Sequence, residues 1–244
     1  MNTETLISLG YYVSSVGFLV ATIMTYNAFK ASSQSGIKTV LSYLAIGTGT
    51  FFIITVFQKM ADLGIYNISD ESKDIWWHIM FYLAMISFYF AFKTLANLGS
   101  SDSAGTTTGI DTGKIWGIIS AVILLAVFIL PNFTESLINI YNTSRLSELG
   151  AHHFLAFIMA GVVGAYVFSA KIFLGQIGRA IAGPMIIAIW ALSVQHFWEL
   201  LTESWKVIAI TPSAGEGVEK IFLTIAAISI IYAVTRLQSF TKTA

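Results

Sequence analysis

The sequence predicts an all-α integral membrane protein with seven transmembrane helices, on three observations. Of 244 residues, 56 % are hydrophobic and only 11 % are charged, against about 25 % charged in soluble domains. Mean hydropathy is +0.76. The apolar residues form continuous runs rather than the alternation of barrel strands. A hydrocarbon core about 30 Å thick needs around 20 mostly apolar residues per helix, and seven stretches meet or approach that length.

The first stretch covers 5–29. Its flank, Met1-Asn2-Thr3-Glu4, has no positive charge, so a span is expected rather than a cleaved signal peptide. The second covers 39–60, preceded by Lys38 and carrying Lys59 at its end. The third, 75–96, opens on Ile75-Trp76-Trp77-His78. The fourth, 115–131, is the shortest and is closed by Pro131. The fifth, 151–173, opens on Ala151-His152-His153. The sixth, 180–201, contains Pro184, which a membrane helix tolerates as a kink, and carries His196 and Glu199. The seventh covers 218–237, beside Glu219 and Lys220. All seven are assigned to one domain, 1–244. A Ser/Thr/Gly-rich linker is expected over 99–113.

Seven spans put the termini on opposite faces. The C-terminal face would hold Lys30, Lys38, Lys93, Lys114, Lys171, Arg179, Arg236 and Lys242, and the other face Lys59, Lys73, Arg145, Lys206 and Lys220. The excess predicts an N-terminus outside and a cytoplasmic C-terminus. Three Asn-x-Ser/Thr sequons, at Asn67, Asn132 and Asn142, all fall in the expected outer loops. Matching placement of short motifs, such as Ala84-Met85-Ile86-Ser87 and Ala226-Ala227-Ile228-Ser229, suggests one helix followed by three hairpins.

All four histidines fall at the outer ends of three segments. His196 and Glu199, at i and i+3, share a helix face, as do Asp74 and His78 at i and i+4. Neighbours on a helix diverge by about 100°, so only one of His152 and His153 is expected to face the bundle. His78, His153, His196 and Glu199 are therefore the expected metal ligands. Asp74 and His152 are expected behind them, with Asp74 fixing a histidine tautomer. Imidazole and carboxylate suit zinc, copper or iron, and two histidines on facing helices would suit a haem. Against this stands a plainer reading. Histidine is at home at a membrane interface, and Trp76, Trp77, Trp198 and Trp205 would form an aromatic belt at the same level.

Seven segments, about 250 residues, an outer N-terminus and a lysine at the seventh segment, with Glu216 four residues before Lys220, resemble the microbial rhodopsins in outline. The resemblance implies a retinal bound to Lys220. The third segment departs from that pattern, because no carboxylate lies between Ile75 and Ala91. A surface ion pair of Lys220 with Glu216 is the alternative reading.

Other chemistries find no support. The chain has no cysteine, which removes thiolate metal sites, iron–sulfur clusters and disulfides. It has no HExxH, Walker loop or GxSxG motif, and its zero net charge carries no basic run for nucleic acid. The partners expected are the lipid bilayer and other membrane subunits. The leading expectation is a metal or haem centre near the outer face, used in redox chemistry, hydrolysis or sensing. The alternative is a non-catalytic structural subunit, receptor or transporter, and a retinal protein comes third.

Overall fold

The computed structural model describes residues 3–65, 68–99, 112–129, 139–171 and 175–241. Among them the chain is helical, without strands. Seven long helices follow the seven apolar stretches: α1 Thr3–Ala31, α2 Ser35–Asp62, α3 Asp70–Gly99, α4 Thr112–Ile129, α5 Ala151–Ala170, α6 Gly175–Glu199 and α7 Pro212–Thr241. One helical turn, Arg145–Glu148, precedes α5. Most helices overrun the apolar stretch by several residues, because helical backbone hydrogen bonds continue through the polar turns on either side. Six helices are long and apolar enough to cross a membrane; in α4 the apolar stretch is the shorter Ile115–Ala126. Pro131, the sequons at Asn67 and Asn132, and most of the linker expected over 99–113 lie outside the described residues.

α1, α2, α3, α5, α6 and α7 close into a ring in which each helix packs on its two neighbours. α4 stands outside it, against α2 and α3, with the Trp116 indole donating to Ser87 Oγ at 2.8 Å. The expected middle hairpin of the fourth and fifth segments is therefore not a packed pair. α6 runs through Pro184 without ending.

The ring is filled by aromatic side chains. Phe51 stacks on Phe18 with centroids 4.9 Å apart and meets Phe81 and Phe88 at 6.0 and 6.2 Å. Trp76 and Trp77 are buried as well, so they belong to the interior rather than to the expected belt; Trp205 is half exposed. Small residues let α1 and α7 approach closely: a Cβ on Gly17 would stand 2.9 Å from that of Ala227, and one on Gly10 2.6 Å from that of Lys220. On its other side α1 exposes Leu9, Val13, Val16, Val20 and Ile23. That spacing of three and four residues is one helix face, an apolar stripe turned outward.

Candidate metal centre

One end of the ring gathers the polar residues. It is formed by the C-terminal ends of α2 and α6 and the N-terminal ends of α1, α3, α5 and α7. Three helices bring in the four histidines, and local structure sets each one. On α3, His78 lies one turn after Asp74 and donates from Nδ1 to the Asp74 main-chain oxygen at 2.8 Å. On α6, His196 Nδ1 lies 2.6 Å from Glu199 Oε2 across a single turn. α5 is preceded by Gly150, whose φ of +65° is left-handed, a conformation that costs glycine little. The chain turns there so that His152 and His153 fall on the first turn, between α3 and α6.

Both histidines of that pair enter the cluster. His153 Nδ1 donates to Glu199 Oε2 at 3.1 Å. His152 Nε2 faces Asp74 Oδ2 at 2.8 Å, and its Nδ1 takes a hydrogen bond from the Tyr141 hydroxyl at 2.8 Å. Burial holds the Tyr141 phenol above its ordinary range, so it keeps the proton it donates. The expectation that only one of the two would face the bundle is thus corrected. Their side chains do diverge, but α5 sits in a seam with a carboxylate on each side. His152, expected from the sequence beside Asp74, has its Nε2 2.8 Å from Asp74 Oδ2.

The rings stand in contact. His78 lies 4.7 Å from His152, 4.8 Å from His153 and 4.9 Å from His196, centroid to centroid, and His153 lies 6.3 Å from His196. His78, His153 and His196 are buried, and Glu199 is 6 % exposed. One donor atom from each of His78, His153, His196 and Glu199 can be chosen so that all lie within 4.8 Å of one another; the same holds for Asp74, His78, His152 and His153. These His/Glu/Asp groups could hold a metal ion.

Hydrogen bonding shows which atoms are free. A carbonyl or carboxylate oxygen only accepts, so His78 and His196 carry their protons on Nδ1. In the neutral imidazole that leaves a lone pair on each Nε2. His78 Nε2 and His196 Nε2 are both buried and have no partner. A buried unpaired acceptor costs free energy, and a cation is the partner an imidazole lone pair suits best. Glu199 is fully engaged: Oε2 accepts from two histidines and Oε1 from Gln195 Nε2 at 2.9 Å.

Beyond Glu199 the helix widens into a π turn, Leu200–Ser204. Such turns recur at functional sites. This one carries Glu203, missed by the sequence reading as a site residue, whose Oε2 stands 3.9 Å from His153 Nε2. Its spacing of four from Glu199 is the signal that could have found it. Next to the cluster opens a cavity of about 390 Å³, lined in part by His153, Glu199, Glu203, Gln195, Asp74 and Lys220.

Lys220 is 6 % exposed, not at the surface as the ion-pair reading expected. Its ammonium lies 3.9 Å from the centre of the Tyr11 ring and 3.9 Å from both Glu216 and Glu219. The close approach at Gly10 lets α7 press this lysine against α1.

Fold and site together define a class, a bundle of membrane-type helices with a His/Glu cluster able to hold a metal ion. Comparison with protein-family models, with curated proteins and with solved structures finds no match, so the function has to be read from the residues themselves.

Proposed function

We propose that the chain is a metal-dependent membrane hydrolase with its centre close to the outer membrane surface. The single observation that carries this is the pair of buried, partnerless Nε2 atoms on His78 and His196, in a histidine cluster beside an open polar cavity. Three imidazoles around one tetrahedral ion, at bonds of about 2.1 Å, stand with centroids roughly 5 Å apart. His78 stands at that spacing from His153 and from His196, at 4.8 and 4.9 Å, while His153 and His196 are wider apart at 6.3 Å and would close on the ion. Their Nε2 atoms are the ligands we assign. Glu199 then stands behind His153 and His196 and orients both, and Asp74 does the same for His78 and His152, as carboxylates do behind metal-binding histidines.

Three protein ligands leave a fourth position open, the arrangement of catalytic rather than structural zinc. The ion would supply polarisation of a carbonyl or phosphoryl oxygen. Glu203, at the cavity wall beside His153, is placed to take a proton from a water there. Zinc and iron both suit the donor set.

Haem fits less well. Axial imidazoles face each other across a flat macrocycle, whereas here His78 meets His152 and His153 edge to face. Retinal fits less well too. The cavity at Lys220 is polar, and the apolar void described in the core, between α2, α6 and α7, measures about 10 Å³. Interfacial anchoring would send the histidines separately toward lipid, and His78, His153 and His196 are buried against one another.

We read α4 as the seventh span. Its 18 residues are about 27 Å long at 1.5 Å each, close to the hydrocarbon thickness. The eight-to-five division of Lys and Arg then supports an outer N-terminus and a cytoplasmic C-terminus. The apolar stripe on α1 supports contact with lipid.

The test is elemental analysis and an absorption spectrum of detergent-purified protein beside His196→Ala. We expect stoichiometric metal without a Soret band, lost in the variant. Metal-free wild-type protein under mild purification refutes the centre, and a Soret band replaces it with haem.

A further inference from the structure

The cavity beside the cluster is short of hydrogen-bond donors. Seven carboxylates and two lysines line it, a formal excess of five negative charges (7 − 2). Lys73 is taken by Asp62 and Asp70, at 3.1 and 2.5 Å, and Lys220 by Tyr11 and its two glutamates. Three buried oxygens on its lining residues have no partner: Gln58 Oε1, Gln195 Oε1 and Glu219 Oε1. Gln195 and Glu219 are 2 % and 8 % exposed. The Gln195 amide cannot be turned to mend this, because its nitrogen donates to Glu199, which only accepts.

Three orphaned acceptors and an acid excess call for a ligand that brings both N–H donors and positive charge. Two aromatic rings, Tyr11 and Trp77, also line the cavity, and Tyr11 already carries one ammonium on its face. Oxygens together with aromatic faces suit an organic ammonium, where a hydrated metal ion would be served by oxygens alone. The volume, about 390 Å³, falls in the range of small-molecule sites, roughly 300–1,000 Å³.

We propose that this cavity binds the ammonium group of an amine-bearing substrate, holding it between Glu219, Gln195 and Gln58 and turning the rest of the molecule toward His153 and Glu203. The binding site stands by itself; that its occupant is a substrate rests on the metal-dependent reading above. The amine is carried either by a small free molecule or by a lipid headgroup, since the cavity lies at the end of the bundle.

The experiment is calorimetric titration of the full chain in detergent with 1,4-diaminobutane, 1,4-butanediol and succinate, with and without chelator. Saturable one-to-one binding of the diamine is expected, at least about tenfold tighter than the diol, with no succinate binding. Glu219→Gln should weaken it by about tenfold; this is the loss expected from removing one charge-assisted hydrogen bond. The probe comparison in wild-type protein needs no variant, so a misfolded Glu219→Gln protein leaves the test intact. Equal binding of diamine and diol, no saturable diamine binding, or magnesium binding alone and displacing the diamine would each overturn the proposal. Amine binding to a protein that never carries metal upholds the site and sinks the hydrolase reading; stoichiometric metal without amine binding does the reverse. Competition by phosphatidylethanolamine nanodiscs, but not phosphatidylglycerol nanodiscs, assigns the amine to a lipid, and its failure assigns it to a free molecule; both uphold the amine class.

Discussion

His152 and His153 are adjacent in sequence, with ring centroids 4.1 Å apart, yet they turn to different carboxylates, Asp74 and Glu199. Nδ1 of His152 is occupied by Tyr141 and its Nε2 faces Asp74, while His153 gives Nδ1 to Glu199 and presents Nε2 toward Glu203 at 3.9 Å. The two should therefore respond differently to the same substitution. Under the three-histidine assignment proposed above, His153→Gln removes a ligand and is expected to abolish stoichiometric zinc. His152→Gln disturbs only what stands behind the ligands and should weaken zinc about 10–100-fold. Zinc competition against a chromophoric chelator reads both. Equal losses would place the two histidines in one role.

Glu199 carries three hydrogen bonds in a buried setting. Glu199→Ala strands two imidazole N–H groups and the Gln195 amide, and should cost about 2–5 kcal/mol of stability, read as a lower melting temperature of metal-free protein. Glu199→Gln retains part of the bonding and should melt closer to wild type while holding metal more weakly. If Glu199→Ala melts like wild type, the buried network does not hold that end of the bundle together.

The seven apolar runs were legible because a bilayer imposes length and composition together. The donors could be located for a related reason: in a chain this poor in charge, His78, His152, His153 and His196 with Glu199 stand out. The placement of α4 was not legible, since its apolar residues suit lipid or protein equally and packing on α2 was decided by contacts such as Trp116 to Ser87. Burial of Lys220 was hidden as well. It depends on the missing side chain at Gly10, more than two hundred residues away in sequence. Trp76 and Trp77 misled because a tryptophan near a span end looks the same whether it faces headgroups or the core. The single-face expectation for His152 and His153 failed because periodicity measures directions around one helix and knows nothing of a carboxylate on each flanking helix.

Gly150 and Gly64 make a matched pair. Both have positive φ, +65° and +72°, but a Cβ on Gly150 would collide with Ser204, and one on Gly64 would meet nothing within 4 Å. Gly64→Ala should cost only the left-handed strain, about 1–2 kcal/mol, and leave metal binding alone. Gly150→Ala adds the collision at the turn that aims His152 and His153, so both melting temperature and zinc affinity should fall further. Equal effects would mean that α5 is not positioned through this turn.

Lys220→Met tests whether the lysine has any covalent role. Wild-type protein incubated with all-trans retinal should develop no visible band sensitive to hydroxylamine, because the cavity at Lys220 is polar and acid-lined. Lys220→Met should keep full metal content, because Lys220 pairs with Glu216, Glu219 and Tyr11 rather than with the histidines. A retinal band in wild type that the variant lacks would reinstate the lysine as a cofactor attachment site.

Metal loading should depend on pH with a definite sign. A histidine ligand binds metal only through a free lone pair, so protons compete with the ion. A site of three Nε2 ligands takes up as many as three protons when the ion leaves. Zinc affinity is therefore expected to fall as pH falls, by up to about a thousandfold per pH unit where all three imidazoles take up a proton. A site in which Glu199 is the main ligand and only one histidine binds would lose about tenfold per unit instead. Zinc competition titrations from pH 8 to pH 5 measure that slope, and a slope near one proton per ion would rule out the three-histidine assignment while leaving a metal site in place.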